Sequence, residues 1–447
     1  MALQFILGPS GAGKSEYIYE DIIRRTMQDE RENVIVLVPE QYSLEIQRKL
    51  VQKHPRGGSF QIDVIGFNRL AYRIFDELHI KPKKVLEDFG KSMLLRKAAQ
   101  EHKEELSLYA GSLDKAGFID EAKSLMSEIY QYDIPRERLR EALQKLDDSE
   151  EARVLARKLQ DMLVIFDAFE EKKGQSFIVA EQMLELLTAA AEQSEMIAGS
   201  EIVLDGFTGF TPIQLNLISV LLRRAKKVTI VLTIDAATYE KKHVAEHELF
   251  ALTKQTIEHL LLTAEQAHVV VKPVLLLGKD GCKRWSKGHP LAHLEQNLFR
   301  YPYRVGKDEE QAITITAYDT PAQELTGVAE QIRTLVMEQG YRYRDIAIVS
   351  GNLEETAEFA KRILPQYEIP YFIDMTMPVK NHPCVDALMH VLRIVDENFS
   401  YDSVFAFLKS GVVKSLEQSE IEMLENYVLA RGRKGIRSWS QPFLNGE

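Results

Sequence analysis

The apolar and polar positions of the first 83 residues alternate between the period of strands and the period of helices. Apolar runs at residues 3–7 and 33–39 and an alternating segment at 60–65 have the pattern of strands. The run at 33–39 is continuous and rich in β-branched residues, which is typical of a strand buried on both faces of a parallel sheet. Helical periodicity follows the first and second of these segments. The order predicts the βαβαβ start of a doubly wound α/β domain.

Between residues 85 and 197 the pattern changes to long amphipathic helices. Apolar side chains recur on one helical face at Leu155, Leu159, Met162, Leu163 and Phe166. We therefore predict a helical insert in the α/β domain.

Strand patterns return after the insert, at residues 201–205 and 228–233, with a helix predicted between them from Pro212 to about Ala225. A second βαβ pattern then runs from residues 312–316 through a helix at 322–339 to residues 345–349. The predicted division is a first α/β domain of residues 1–83 and 198–300, a helical insert of residues 84–197, and a second, incomplete α/β domain of residues 301–447 with the start of a helical insert.

The composition is that of a globular protein, with 45% hydrophobic and 28% charged residues among 447. No apolar run approaches the ~20 residues that span a bilayer, and the first residues lack the basic region of a signal peptide. We therefore expect a cytoplasmic protein without membrane contact. Cys282 and Cys384 stand far apart with no other ligand at metal-binding spacing. We expect two buried thiols, and neither a disulfide framework nor a zinc or iron–sulfur site within this chain.

The net charge of −11 disfavours nonspecific coating of nucleic acid. The charge is unevenly distributed. Residues 1–83 carry 12 Lys and Arg against 11 Asp and Glu, whereas residues 84–200 carry 16 against 24. A polyanion is therefore expected to meet local basic groups near the N-terminus.

Residues 8–15 read Gly-Pro-Ser-Gly-Ala-Gly-Lys-Ser and match the phosphate-binding pattern G-x-x-x-x-G-K-[ST], between a predicted strand and a predicted helix. The glycines let successive backbone N–H groups point at phosphate oxygens beside the positive end of the helix. The predicted ATP-binding residues are Gly8, Pro9, Ser10, Gly11, Ala12, Gly13, Lys14 and Ser15. Lys14 would reach the β- and γ-phosphates, and Ser15 would place its hydroxyl on Mg²⁺. The alternative is a loop that precedes a helix and binds no ligand.

Asp205 ends the predicted strand at 201–205 and is the candidate for a second Mg²⁺ contact. In nucleotide-hydrolysing motors a strand of this kind ends in Asp followed by a glutamate that activates the attacking water. Here Gly206 occupies the second position. We therefore expect nucleotide binding with weak or absent hydrolysis. The alternative is that Asp205 merely ends a strand at a turn.

Aromatic and basic side chains interleave just after the third predicted strand. At helical spacing Arg69, Tyr72 and Arg73 share one face, while Phe67 lies on the apolar face. Guanidinium groups bind phosphates, and the tyrosine ring offers a surface on which a base stacks, as in single-strand binding proteins. The alternative is an ordinary surface helix with exposed cations.

Two further segments follow strands at the same predicted edge of the sheet. The rings of Phe207 and Phe210 would either stack on bases or plug a domain interface. Gln41 and Ser43 follow the second strand, where short polar side chains either donate to phosphates and base edges or cap the next helix.

Taken in order, these segments resemble the AddB family, the B subunits of bacterial AddAB helicase–exonucleases. The resemblance is carried by residues 8–15, 37–41, 66–73, 203–207, 340–347, 367–374 and 381–383. Only the phosphate loop is common to many other families, whereas the set in this order is specific.

The resemblance implies a superfamily 1 helicase-like fold and a role in processing double-strand DNA breaks for recombination. It also implies a heterodimer with an AddA-type subunit that carries the working motor, and binding of duplex and single-stranded DNA. In such B subunits the helicase-like region reads the Chi sequence in the passing strand. The positions implied for that readout are Glu40, Gln41, Ser43, Phe67, Arg69, Tyr72 and Phe210. Tyr72 stands where tryptophan is expected and Glu40 where aspartate occurs, so the recognised sequence is left open.

Two departures from a working motor stand out: Gly206 in place of glutamate, and Ser350-Gly351 where an arginine would touch a γ-phosphate. AddB-like proteins continue into a C-terminal 5′–3′ exonuclease domain with metal-binding carboxylates and a 4Fe–4S cluster, so we expect no catalytic residue in this chain. The alternatives are an autonomous P-loop ATPase or kinase, and a purely structural adaptor.

Overall fold

A computed structural model describes residues 1–443 of the chain, apart from positions 30, 82, 114, 147–148, 175, 279–280, 287, 308–311, 376–378 and 380–381. Asn381, in one of the family-like segments, therefore lies outside the described residues. The chain divides into two compact units, Met1–Thr314 and Ile315–Glu447. The finer division into residues 1–83 with 198–300, 84–197 and 301–447 stays a prediction.

The first unit is built on a large parallel sheet. The strands of the described residues are β1 (Ala2–Gly8), β2 (Asn33–Leu37), β3 (Ile62–Ile65), β4 (Lys84–Leu86), β5 (Phe177–Val179), β6 (Ser200–Leu204), β7 (Lys227–Thr233), β8 (Val270–Val271) and β9 (Leu275–Leu276). The large sheet has the order β3-β2-β6-β7-β1-β8, with β9 also paired to β1, while β4 and β5 form a separate pair. Every pair is parallel.

Helices connect the strands and cover both faces of the large sheet. The described helices of the first unit are α1 (Lys14–Gln28), α2 (Ser43–Lys53), α3 (Phe67–Glu77), α4 (Asp88–Glu101), α5 (Ala116–Gln131), α6 (Arg136–Gln144), α7 (Glu150–Lys173), α8 (Gln182–Ala191), α9 (Glu195–Ala198), α10 (Pro212–Arg224), α11 (Ala236–Glu240), α12 (Ala251–Gln266) and α13 (Pro290–Asn297). Short 3₁₀ turns lie at Glu40–Tyr42 and Lys103–Glu105.

Successive side chains of β1 point to opposite faces, and both faces are buried. Leu3 and Phe5 lie in a core shared with α3, α8, α10 and α12. Ile6 lies in the other core, with residues of α1 and α2 such as Ile18 and Leu50. Burial on both faces explains why the strands are continuously apolar in sequence. The predicted α/β fold with a parallel sheet is confirmed, whereas its superfamily 1 arrangement stays a prediction.

The region between β3 and β6 has a hydrophobic core of its own. Helices α4, α5 and α7 surround Leu95, Met126, Ile165 and Phe169, which confirms the predicted amphipathic helices. The strands β4 and β5 were not predicted, because three residues are too few to show alternation. Helix α8 packs on the core of the large sheet instead, through residues such as Leu187.

The described part of the second unit consists of helices and extended segments. Its helices are α14 (Pro321–Gln339), α15 (Leu353–Ile363), α16 (Pro383–Asp396), α17 (Tyr401–Leu408), α18 (Gln418–Arg431) and α19 (Ile436–Trp439), with 3₁₀ turns at Tyr343–Asp345 and Leu364–Tyr367. One core joins α14 and α15 with Ile369, and a smaller one surrounds Phe405 in α17 and Ile421 in α18.

The prediction of strands at residues 312–316 and 345–349 is wrong for the described residues, since neither segment belongs to a sheet. Ile346 has extended dihedral angles, φ −113° and ψ 133°, but Val349 is 93% exposed. A β-branched sequence favours extended backbone, whereas a strand also requires a neighbour to which it can pair. The predicted sheet of a second α/β domain is therefore not formed by the described residues.

Candidate functional site

The carboxyl edge of the large sheet collects the predicted functional segments, because all of its strands are parallel. Across the neighbouring strands, β3 leads to Phe67, β2 to Glu40, β6 to Asp205, β7 to Asp235 and β1 to the phosphate loop. The residues predicted to bind nucleotide and those predicted to bind nucleic acid thus share the carboxyl edge of this sheet, and Asp205 follows a strand that lies between the two groups.

The phosphate loop joins β1 to α1 in the shape that its glycines allow. Gly11 and Gly13 have φ values of 72° and 83°, in the left-handed region where a side chain is strained. The Ala12 N–H donates to the Pro9 carbonyl at 3.3 Å, which closes the loop. Helix α1 begins at Lys14 directly after the second of these glycines.

Lys14 is held above the loop by main-chain acceptors. Its Nζ donates to the carbonyl oxygens of Gly8 and Pro9, each at 2.9 Å. Burial lowers the pKa of Lys14 below its usual value, and the carboxylates of Asp205 and Glu295 partly offset this effect. In the described structure the ammonium is thus held over the loop by main-chain carbonyl groups.

Asp205 is buried at the end of β6 and is engaged by a residue of α1. The hydroxyl of Tyr19 donates to Asp205 Oδ2 at 2.6 Å. Burial, and then the adjacent carboxylate, raise the pKa of Tyr19 well above its usual value, so Tyr19 stays a neutral donor. A buried hydrogen bond thus orients the Asp205 carboxylate, and its role as a Mg²⁺ contact stays a prediction.

Gly206 follows Asp205 with a φ of 83°, in the left-handed region. A Cβ atom at this position would lie 3.4 Å from Cδ of Pro39, so space alone would permit a side chain. The backbone conformation is what favours glycine here. The position that a water-activating glutamate would occupy thus carries no side chain.

The chemistry of these residues fits Mg²⁺ and a nucleoside triphosphate. Mg²⁺ prefers oxygen ligands and binds through few protein groups, and the half-buried Ser15 hydroxyl and the Asp205 carboxylate are both oxygen donors. Around the loop, a Cβ atom at Gly8 would lie only 2.7 Å from the Leu277 carbonyl oxygen, so a larger residue would not fit there.

Cys282 and Cys384 are not the buried thiols that were predicted. Cys282 is half-buried beside the phosphate loop, and its Sγ donates to the Ser10 carbonyl at 3.5 Å. Cys384 is exposed in the first turn of α16. Neither cysteine thus lies in a hydrophobic core, and the amino-acid composition alone does not reveal these positions.

Three aromatic rings form a chain at the ends of β3 and β6. The ring centroids of Phe67 and Phe207 are 5.4 Å apart, and those of Phe207 and Phe210 are 5.3 Å apart. All three pack against the core of the sheet yet remain partly exposed. The structure therefore brings Phe67 and Phe210 together through Phe207, with ring surface available at the edge.

Helix α3 presents the predicted polar face to solvent. Leu70 and Ile74 are buried, whereas Arg69 is exposed and Tyr72 is 46% exposed. Arg73 forms an ion pair with Asp63 of β3. Burial raises the pKa of Asp63, and Arg73 together with Arg69 opposes that rise. Arg69 and Tyr72 are thus the more available members of this face.

The segment after β2 is engaged with its own turn and with α3. Glu40 Oε1 accepts from the Asn68 N–H at 3.1 Å at the beginning of α3. Ser43 Oγ donates to the Glu40 carbonyl at 2.9 Å, while Gln41 is exposed. Glu40 therefore stabilises the first turn of α3, and Gln41 is the freer of the polar side chains predicted here.

Sequence reasoning missed several charged or polar residues at this edge. Asp235, after β7, caps α11 by accepting from the Thr238 N–H at 2.5 Å and forms an ion pair with Arg300. Burial raises the pKa of Glu295, which lies within electrostatic range of Lys14. Asp235 could have been found by its place at the end of a strand. Tyr19 and Glu295 have no such signal, because they reach the edge only through the tertiary fold.

Within the described part of the chain, no group of three or more His, Cys, Asp or Glu side chains is arranged to hold a metal ion. Among the same residues, none of the helices combines the length and the apolar character needed to cross a membrane.

Comparison with known proteins gives a consistent result. The family model described as ADDB, N-terminal, matches residues 5–295. A relative from Lachnoclostridium phytofermentans, named as the B subunit of an ATP-dependent helicase/deoxyribonuclease, is 38% identical over 439 residues, which are 97% of this chain. Relatives of the same name from Clostridium novyi and Alkaliphilus metalliredigens are 32% and 34% identical over 446 residues, 100% of this chain. The chain spans 38% of the length of each of these relatives.

Proposed function

The chain belongs to the AddB N-terminal family, and from that premise we propose that it is the ATP-binding and single-stranded-DNA-binding region of the B subunit of a helicase/deoxyribonuclease. We further propose that it is an inactivated superfamily 1 helicase region. The observation that carries the proposal is the shared carboxyl edge of the sheet. The glycine-rich loop follows β1 at this edge, and the partly exposed aromatic and basic residues follow β3 and β6, with β7 between β6 and β1.

The nucleotide part of the proposal rests on residues 8–15. The loop N–H groups and Lys14 would hold the phosphates of ATP, and Ser15 and Asp205 would hold Mg²⁺, which would neutralise phosphate charge. Tyr19 would keep the Asp205 carboxylate oriented toward that site. Because Gly206 supplies no group to activate water, bound ATP would be hydrolysed weakly or not at all.

The nucleic-acid part rests on the residues after β2, β3 and β6. Phe210, Phe67 and Tyr72 would stack on bases of a single strand, and Arg69 would bind a phosphate. Gln41 and Ser43 would add polar contacts, and Glu40 would act through α3, whose first turn it stabilises. We propose that this surface reads the Chi sequence.

The proposed setting follows from the names of the relatives, each of which describes one subunit of a helicase/deoxyribonuclease. We propose a cytoplasmic heterodimer with an AddA-type subunit that processes double-strand DNA breaks for recombination and also binds duplex DNA. The C-terminal 5′–3′ exonuclease domain, its metal carboxylates and its 4Fe–4S cluster would lie in parts of the intact protein outside these 447 residues.

Alanine substitution of Arg69 or Phe210 tests the DNA surface. Loss of one stacking contact costs about 1–3 kcal/mol of binding free energy, and loss of one phosphate contact lowers the salt slope for a single strand by about 0.7. We therefore expect Phe210→Ala to weaken binding at all salt concentrations and Arg69→Ala to reduce the slope. The measurement is fluorescence anisotropy of a labelled oligonucleotide across a salt series.

Arg223→Ala is the matched control, because Arg223 is a surface arginine in the last turn of α10, toward the opposite edge of the sheet. Unfolding midpoints of all variants check that each is folded. Wild-type affinity and slope in both folded DNA-surface variants would remove the assignment of this surface.

A further inference from the structure

A second stretch of chain, Cys282–Trp285, lies directly on the phosphate loop. The backbone N–H groups of Lys283 and Arg284 both donate to the Gly11 carbonyl oxygen, at 3.1 and 3.2 Å. Cys282 adds the contact of its thiol with the Ser10 carbonyl. The stretch is thus tied to the middle of the loop by hydrogen bonds to consecutive residues.

The packing between the two segments depends on the glycines of the loop. A Cβ atom at Gly11 would clash with Cys282 Sγ and would lie 3.1 Å from Arg284 Cβ. A Cβ atom at Gly13 would lie 3.0 Å from Cδ of Lys283. Real Cβ atoms seldom approach other atoms so closely. Glycine at these two positions is therefore favoured for two reasons: its backbone can adopt the left-handed conformation, and it leaves space for the second segment.

The hydrogen bonds of this segment go to loop carbonyl groups, which cannot bind phosphate. The loop N–H groups, which can, take no part in these contacts. The segment therefore lies along the rim of the cradle and does not itself occupy the loop N–H groups. That arrangement is expected of a second wall of the site rather than of a plug inside it.

The side chains of Lys283 and Arg284 bring two more positive charges to this rim. Both residues are exposed, and within the described chain neither makes an ion pair with a carboxylate. The Arg284 guanidinium lies over the Trp285 ring at 5.7 Å from its centroid. The acidic groups in electrostatic range are Glu16, near Lys283, and Asp205 and Glu295, near Lys14. The Glu295 carboxylate also accepts a hydrogen bond from the Ser10 N–H of the loop.

Lys14 begins α1 directly after Gly13, the loop glycine against which the Lys283 side chain lies. Like charges that are close together repel one another, and a bound polyanion converts that repulsion into attraction. Lys283 and Arg284 therefore add two cations beside the loop that leads to Lys14, where a triphosphate would carry the compensating charge.

We propose that Lys283 and Arg284 are phosphate-binding residues of the nucleotide site and form its second wall. This inference rests on the proposed binding of nucleotide and names residues that the phosphate-loop pattern does not contain. Charge-assisted hydrogen bonds from guanidinium and ammonium groups to phosphate are the strong ones in proteins. The ligand class is a nucleoside triphosphate with its Mg²⁺.

Single alanine variants of Lys283 and Arg284 in the purified chain test the assignment. Each variant is expected to weaken binding of Mg-ATP roughly 10-fold, the size of one charged hydrogen bond. Arg284→Lys is expected to recover part of the loss. Lys272→Ala is the matched control, because Lys272 is exposed and its N–H donates to the Leu3 carbonyl, at the other end of β1. Isothermal titration gives the dissociation constants.

Thiol labelling distinguishes a second wall from a plug. Cys282 touches the loop, whereas Cys384 is exposed on α16 and serves as an internal reference in the same molecule. If the wall closes on phosphate, saturating Mg-ATP slows alkylation of Cys282 relative to Cys384. Unchanged or faster alkylation of Cys282 would mean that the segment does not hold the nucleotide, and would overturn the inference.

The two levels of proposal fail in different ways. If the wild-type chain binds no Mg-ATP, the proposed nucleotide function is wrong. If the wild-type chain binds Mg-ATP and Lys14→Ala removes that binding, but Lys283→Ala and Arg284→Ala bind as tightly as the wild type, only the second wall is wrong.

Discussion

Single side chains hold the sheet edge in place, and the pair of Tyr19 and Asp205 is the clearest case. Tyr19 comes from α1 and Asp205 from the end of β6, so their 2.6 Å hydrogen bond ties the helix of the phosphate loop to the neighbouring strand end. Both side chains are buried, so neither has free access to water as a substitute partner. A buried acceptor that loses its donor carries the full cost of its lost hydration.

Tyr19→Phe is therefore expected to lower the free energy of unfolding by about 1–3 kcal/mol. The variant removes one hydroxyl and changes the packing little. Tyr17→Phe is the control, because Tyr17 lies on the same helix and is 40% exposed. Urea unfolding measures both; equal stability of the Tyr19 variant and the wild type would show that the bond contributes nothing.

The sequence allowed prediction of single residues where a local pattern defines their chemistry. Lys14 was predicted from the phosphate-loop pattern and Asp205 from its place at the end of a strand, and the exposed position of Arg69 and Tyr72 followed from helical spacing. Tyr19, Glu295 and the pair Lys283 and Arg284 could not be found in this way. They reach the site from other elements, and no period or spacing in the chain encodes that approach.

At the scale of elements, Asp161 joins helix α7 to the loop at residues 107–109, which follows α4 in the chain. Its carboxylate accepts from the N–H groups of Ser107, Leu108 and Tyr109, at 2.8, 2.7 and 2.9 Å, and it is fully buried. Burial alone would raise the pKa of Asp161, but these backbone donors outweigh burial and lower it. The pair of elements is thus held by an ionised side chain.

Because the pKa of Asp161 is lower in the folded state than in the unfolded chain, its stabilising effect is present above the unfolded value of about 3.9 and is lost as the pH falls through the folded value. Asp161→Asn is expected to cost about 1–3 kcal/mol at neutral pH and to flatten the loss of stability in acid. Asp167→Asn, at a half-exposed position of the same helix, is the control. If the stability of the Asp161 variant falls as steeply in acid as that of the wild type, this account is contradicted.

The strands that were predicted well are those with both faces buried. Strands β1, β2, β6 and β7 are buried on both faces, and their continuous apolar runs made them visible in the sequence. The segments 312–316 and 345–349 have the same local pattern, but the described residues provide no neighbouring strand. Local sequence determines extended backbone, whereas sheet formation depends on a partner that lies elsewhere.

At the scale of the whole molecule, one edge of the first unit combines two proposed binding surfaces. The phosphate loop lies at the end of β1, and the aromatic chain lies at the ends of β3 and β6. Between them, Asp205 contacts α1 through Tyr19. Nucleotide bound at one surface would therefore stabilise the strand ends that carry the other.

Mg-ATP is accordingly expected to stabilise the chain against unfolding, by about 2.7 kcal/mol at 100 times its dissociation constant. Lys14→Ala is expected to remove this stabilisation while leaving the ligand-free stability nearly unchanged, because among the described residues the Lys14 ammonium donates to loop carbonyls. Thermal unfolding across a nucleotide series measures the effect. A purely structural adaptor would show no nucleotide dependence in either protein.

The most direct test of the central claim, a phosphate site that has lost its means of hydrolysis, is the rate of phosphate release from saturating Mg-ATP. The purified chain is measured with and without single-stranded DNA, beside Lys14→Ala. We predict that ATP is bound and stays intact, with turnover far below the ~1–100 s⁻¹ that is typical of kinases. Turnover within that range, abolished by Lys14→Ala, would contradict the account and identify an autonomous ATPase.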